Sequence, residues 1–167
     1  MRVSAVALVA LALAATGCAH EVPALKAKAR EVTPAESRSA GDCASSEAVI
    51  ESAWVKCIVV FRGTRHSAIA FVSRRLRKQG FRLGCRDELG TLELVGVHGH
   101  TRVIADARPG AITFDPAGGK PLDVVDARFA RPGSRRIPAG SVGLRIGVDK
   151  LESTDSSYPL PPGDCPS

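Results

Sequence analysis

Residues 55–79 read VKCIVVFRGTRHSAIAFVSRRLRKQ, and this stretch joins the strongest strand signal of the chain to its strongest helix signal. Residues 55–61 are nearly all apolar and mostly β-branched, which predicts a buried strand. Gly63 breaks that pattern. Residues 64–79 then place apolar side chains at the i, i+3, i+4 and i+7 spacings of one helix face, and Gly80 follows as a helix stop. The stretch therefore predicts a strand that leads into an amphipathic helix.

Further strands are predicted after this helix. A short strand at 81–85 precedes a hairpin over 91–106 that turns at His98 and Gly99, so that Leu94 faces Val103. The remaining candidates are strands at 111–114, 122–129 and 141–150, and a short helix within 45–54. We therefore expect an α+β fold over residues 43–167, with one or two helices packed on a mainly antiparallel sheet of about six strands.

Positive charge is concentrated in and just after the predicted helix. The chain has 23 Lys and Arg against 17 Asp and Glu, a formal charge of +6, yet residues 64–86 contain seven basic residues and no acidic one. This predicts a basic surface formed by Arg74, Arg77, Lys78 and Arg82. Such a surface suits anionic lipid headgroups, wall polymers or an acidic protein. The alternative is a solvated helix face without a partner.

The first 17 residues are typical of an export signal. Arg2 is followed by an apolar run over residues 5–15, which is too short to span a bilayer. The sequence Ala15-Thr16-Gly17-Cys18 resembles the lipobox of bacterial lipoproteins, with Ala15 where Leu is usual. The resemblance implies removal of residues 1–17, acylation of Cys18 by diacylglyceryl, including palmitate, and a lipid-anchored, extracytoplasmic place in the cell envelope. The alternative is a plain signal peptide cleaved after an Ala-x-Ala site within residues 12–14.

The stretch from Cys18 to residue 42 is predicted to be a lipid-anchored flexible spacer. Residues 19–42 have balanced charge, many alanines, two prolines and no aromatic residue. Such a composition offers little apolar surface for a core, so at most a transient helix is expected there.

The four other cysteines, Cys43, Cys57, Cys85 and Cys165, predict two disulfides in an exported protein. Three connectivities are possible. We favour Cys43–Cys165 with Cys57–Cys85, because a direct Cys43–Cys57 bond requires the chain between them to turn back. The spacing does not favour a metal site formed by four thiolates, because no close cysteine pair is present.

Candidate chemical groups are sparse. His98 and His100 could approach one metal ion with a distant carboxylate such as Asp106, and His66 has no identifiable nucleophile beside it. Asp123 and Asp126 are three residues apart on a predicted strand and so face opposite sides. Ser141 lacks the context of a nucleophile elbow. No catalytic residue, cofactor or bound metal is predicted.

The sequence therefore favours a non-catalytic envelope module for interaction or binding. Its predicted partners are membrane lipid, reached through acylated Cys18, and an anionic envelope surface or acidic protein. Export argues against a nucleic-acid partner. The alternative is an exported small enzyme or metal-binding protein that uses His98 and His100.

Overall fold

A computed structural model describes residues 21–46, 53–152 and 158–167. Its helices are α1 (Glu21–Val32) and α2 (Arg65–Lys78). Its strands are β1 (Arg38–Ser39), β2 (Ala44–Ser46), β3 (Trp54–Arg62), β4 (Arg82–Glu88), β5 (Thr91–His98), β6 (Thr101–Arg108), β7 (Ala111–Phe114), β8 (Pro121–Val125), β9 (Arg135–Arg136) and β10 (Ser141–Lys150), with a 3-10 turn at Ala127–Phe129. The proposed leader, Cys18 and residues 47–52 lie outside the described residues. No helix in the described ranges is long and apolar enough to cross a membrane.

The strands form two antiparallel sheets. The large sheet has the order β1-β3-β10-β6-β5-β4, with β2 also paired to β3, and the small sheet has the order β8-β7-β9. This arrangement, with two helices on the large sheet, confirms the predicted α+β fold.

The large sheet separates two cores. In β10, alternate side chains from Val142 to Val148 point to the helices, and the intervening residues point to the small sheet. Against the helix side pack Ile69, Val72 and Leu76, all with no exposed surface. On the other side, the second core joins Ile58, Ile112, Val124 and Ala40. Gly143 lets the small sheet approach closely, because a Cβ built there would lie 2.6 Å from a methyl carbon of Val124.

The prediction of a flexible spacer is wrong for the part of that segment that the structure describes. Residues 21–32 form α1, and Val22, Leu25, Ala29 and Val32 are buried against the large sheet. These positions are separated by three, four and three residues, which places them on one face of a helix. The small apolar stripe is stable because β3 and β10 supply the rest of the core. Helix α1 is therefore part of the folded domain.

The prediction of two disulfides is confirmed, but the favoured pairing is wrong. The bonds are Cys43–Cys57 and Cys85–Cys165. Strand β2 pairs antiparallel with β3, so the chain does turn back and Cys43 reaches Cys57. At the other edge, Gly163 exchanges two backbone hydrogen bonds with Cys85, at 2.8 and 3.0 Å, and this places Cys165 beside Cys85. The C-terminal segment thereby covers part of the exposed edge of β4.

Three local predictions also need correction. The β5–β6 hairpin pairs His98 with Thr101 and Leu94 with Ala105, so its turn lies at residues 99–100, one residue later than predicted, and the facing pairs shift by two. Strand β8 ends at Val125, before the 3-10 turn. Of the short helix predicted within 45–54, the ends belong to β2 and β3, while its central residues, 47–52, lie outside the described residues.

Candidate functional site

The outer face of α2 carries most of the basic residues that the sequence identifies. Thr64 caps the helix, because its hydroxyl accepts a hydrogen bond from the backbone N–H of Ser67 at 3.1 Å, while Ser67 Oγ accepts one from the backbone N–H of Thr64 at 2.9 Å. The cap and the buried apolar stripe fix the orientation of the helix. As a result, four basic side chains of its last turns are exposed: Arg74, Arg75, Arg77 and Lys78.

These basic residues differ in whether they contact other side chains or backbone groups. Arg77 donates a hydrogen bond to the carbonyl oxygen of Cys165 at 3.1 Å, and the guanidinium of Arg75 lies 5.3 Å from the ring centroid of Phe71. Arg74 and Lys78 have no ion-pair or hydrogen-bond partner among the described residues. Their charge near the C-terminal end of α2 is favourable for the helix dipole, yet it is left without a counter-charge.

Arg82 is placed apart from this group. It is the first residue of β4, where Leu83 and Cys85 point to the core under α2. Because side chains alternate along a strand, Arg82 belongs to the opposite face of the sheet. The structure therefore brings Arg74, Arg77 and Lys78 together and separates Arg82 from them.

Helix α1 extends the basic surface. Lys28 Nζ donates to Gln79 Oε1 and to Glu31 Oε2, both at 2.8 Å, and Gln79 Nε2 donates to Glu31 Oε1, which ties α1 to the end of α2. The other acidic residue of α1, Glu21, pairs with Lys150. We call α1 and α2 together the helix layer. It has eight basic and two acidic side chains, so it contains as much net charge as the whole chain, +6.

The histidines stay separate from the carboxylates proposed for them. His98 and His100 are exposed near the β5–β6 turn, and His100 Nδ1 lies 3.2 Å from the carbonyl oxygen of Leu151. Asp106 lies five residues along β6 from Thr101, about 17 Å away at the usual strand rise. His66 is exposed on the first turn of α2. No group of three potential metal-ligating side chains occurs within residues 21–46, 53–152 and 158–167.

A row of charged side chains crosses the other face of the large sheet. Arg86 on β4 pairs with Glu93 on β5 at 2.8 Å, Glu93 is opposite Asp106 on β6, and Asp106 is opposite Arg145 on β10. Arg145 Nε donates to Asp106 at 2.7 Å, and Arg145 Nη1 lies 3.1 Å from Asp123 of the small sheet. The row therefore connects four strands of one sheet with the other sheet.

Asp106 is the buried member of this row. Burial raises its pKa, Arg145 opposes that change, and the neighbouring carboxylate of Glu93 raises the pKa further. The cavity beside it is only about 60 Å³, room for about two water molecules. A cavity of this size excludes an organic substrate, so the row joins the sheets. The sequence does not reveal this row, because the hairpin register predicted from it places Glu93 opposite Ile104 and not opposite Asp106.

The other candidates are also separated. Asp123 pairs with Arg145, whereas Asp126 accepts a hydrogen bond from the backbone N–H of Arg128 and pairs with its guanidinium. Gly140 has a φ of +73°, and a strand, not a helix, follows it, so Ser141 begins β10.

Comparisons with family models, with curated proteins and with solved structures find no match to this chain.

Proposed function

We propose that this protein is an exported lipoprotein of the cell envelope, anchored through acylated Cys18, whose helix layer binds an anionic surface without catalysing a reaction. The supporting observation is the segregation of charge. The helix layer is as positive as the entire chain, and Arg74 and Lys78 have no counter-charge among the described residues. Each Lys or Arg near an anionic bilayer contributes about 1 kcal/mol of attraction.

Acylation is tested by metabolic labelling. The full chain and its Cys18→Ala variant are expressed in a bacterial host that is fed labelled palmitate. We expect label in the first protein and none in the second. Equal labelling of both proteins, or no labelling of either, contradicts the anchor.

The anionic surface is tested by vesicle co-sedimentation with a soluble form that begins at residue 19 and so keeps every described residue. Arg74→Gln/Lys78→Gln removes two unpaired charges of α2, while Arg131→Gln/Arg136→Gln removes two exposed charges outside the helix layer. We expect the first variant to bind vesicles containing phosphatidylglycerol about 30-fold more weakly, from a loss of about 2 kcal/mol, and the control to change little.

Salt provides the second criterion, because attraction between exposed charges is screened over about 8 Å at physiological ionic strength. Binding should therefore weaken as sodium chloride is raised. Binding that resists salt, or that weakens equally in both variants, contradicts a role for the helix layer.

A further inference from the structure

A second cationic feature lies on the opposite flank of α1. A cleft of about 560 Å³ is formed between α1, the segment 33–45 that follows it, and Lys120. Lys26 and Arg30 line the cleft from α1. Lys26 is two residues, and so about 200° around the helix, from Lys28, which faces α2. The volume falls in the range of small-ligand sites, and the cleft is distinct from the face that carries Arg74 and Lys78.

Three cations converge on this cleft from two walls. Lys26 and Arg30 are one helical turn apart on α1, and Lys120 comes from the loop between β7 and β8. None of the three forms an ion pair or side-chain hydrogen bond with a described residue, and Asp42 is the one acidic residue that lines the cleft. Because like charges repel, a bound anion would relieve a repulsion that this part of the domain does not neutralise.

The rest of the lining is suited to hydroxyl groups and a small apolar surface. Ser37 and Ser45 offer hydroxyls, and Ser37 Oγ is buried without a hydrogen-bond partner among the described residues, while the Cys43–Cys57 disulfide and Val59 contribute sulfur and carbon. The disulfide joins the start of β2 to β3 and so fixes this part of the lining. The cleft can therefore hold an anion that is attached to a short hydroxylated chain.

Phosphate matches the charge better than carboxylate does. Three cationic side chains on two walls can each meet a different oxygen of a tetrahedral phosphate, whereas a planar carboxylate has two oxygens. A phosphate also has room here, because the cleft volume accommodates a substituent beyond the charged group.

We propose that this cleft binds a phosphate ester of a small polyol, with Lys26, Arg30 and Lys120 around the phosphate. The ester can be a free monoester, whose phosphate has three non-ester oxygens, or the headgroup of a phospholipid, whose phosphodiester has two; both present a tetrahedral phosphate attached to glycerol. This site does not depend on the role proposed for the helix layer.

The test is calorimetric titration of the full chain, purified in a neutral detergent, with glycerol 3-phosphate. Glycerol is the ligand control. Lys26→Gln/Lys120→Gln removes one cation from each wall, and Arg131→Gln/Arg136→Gln removes the same charge elsewhere. We expect saturable binding at one site, a loss of at least about tenfold in the cleft variant, and an unchanged affinity in the control variant. Circular dichroism of each variant verifies that it is folded.

Vesicle binding distinguishes the two sources. Because Lys26 also belongs to the helix layer, the two sources are separated by competition at constant ionic strength. If the ligand is a headgroup, glycerol 3-phosphate reduces the binding of the parent protein to phosphatidylglycerol vesicles; if it is a free ester, vesicle binding is unchanged, and either result supports the site. The proposal is overturned if folded wild-type protein shows no saturable binding of glycerol 3-phosphate. It is also overturned if glycerol competes equally, or if both double variants lose the same affinity.

Discussion

Replacing Leu25 by alanine should destabilise the domain, although the sequence alone predicts that this residue lies in a spacer. Leu25 is 9% exposed and packs in the main core from the middle of α1. The substitution removes three carbon atoms, and at about 0.8 kcal/mol for each the transfer contribution is about 2.4 kcal/mol. A partly relaxed cavity adds to this, so we expect a loss of about 3 kcal/mol in the free energy of unfolding.

The matched control is Leu89→Ala. It makes the same chemical change at the tip of the β4–β5 hairpin, where Leu89 is 98% exposed. A surface change of this kind usually stays within about 0.5 kcal/mol. Both variants are compared with the parent by urea denaturation, with disulfides intact, in a form that begins at residue 19.

The pair of variants can refute the placement of α1. If Leu25→Ala alters the urea midpoint no more than Leu89→Ala does, α1 does not belong to the cooperative core. Hydrogen exchange gives an independent measurement, because amides of a packed helix exchange slowly through its cooperative opening. If the α1 amides exchange at the rate of an unfolded chain, the prediction of a flexible spacer would be correct and the packing of α1 would be refuted.

Three further predictions concern stability. Leu89 has a φ of +50° and precedes Gly90, which also has a positive φ. Because asparagine tolerates this left-handed conformation better than leucine, Leu89→Asn should raise the free energy of unfolding by about 0.5–1 kcal/mol in urea denaturation. A loss of stability would contradict a left-handed turn there. The raised pKa of Asp106 means that the folded state binds the proton of this carboxyl more tightly than the unfolded state does. The stability of the parent relative to Asp106→Asn should therefore fall as pH rises above about 4. A relative stability of the parent that increases with pH would refute this. Cys85→Ala/Cys165→Ala opens a loop of 80 residues, whereas Cys43→Ala/Cys57→Ala opens a loop of 14. The first double variant should therefore lose about 1.5 kcal/mol more of the free energy of unfolding than the second, and melting curves of the two can be compared.

Periodicity predicted the elements whose own sequence provides a wide apolar face. Helix α2 begins and ends within one residue of its prediction, and the alternation over 141–150 matches β10. These segments bury large side chains on one side, so their pattern is clear before any partner is known. Helix α1 has a narrower stripe in which one buried position is the small Ala29. Its burial depends on a sheet that forms from distant residues, which explains why composition predicted a spacer.

The disulfide pairing and the charged row depend on long-range register, which local patterns do not specify. The cysteine spacing is compatible with three connectivities. The pairing of β2 with β3 places Cys43 beside Cys57 and so determines which of them forms. Likewise, a shift of one residue in the β5–β6 turn moved every facing pair by two and placed Glu93 opposite Asp106. Opposed carboxylates are unfavourable in isolation. They are accommodated here because Arg86 and Arg145 flank them on the neighbouring strands.

The placement of α1 also strengthens the proposed membrane role. A flexible spacer of 25 residues from Cys18 would hold the domain at a root-mean-square distance of about 27 Å, well beyond the screening length of about 8 Å. The step from Cys18 to Glu21 instead spans at most about 11 Å. Glu21 pairs with Lys150, the last residue of β10, at one end of the strands of the large sheet. At the same end, the backbone N–H of Leu151 donates a hydrogen bond to the β5–β6 turn, and His98 packs beside Phe81, which follows α2. The C-terminal end of α2 lies at this same end of the strands, where Gln79 contacts Lys28 and Glu31 of α1. If Cys18 carries a lipid as proposed, the short step to Glu21 would tether the domain to the bilayer, and the rigid α1 then sets the remaining distance to the basic end of α2, about 15 Å from Glu21 to Glu31.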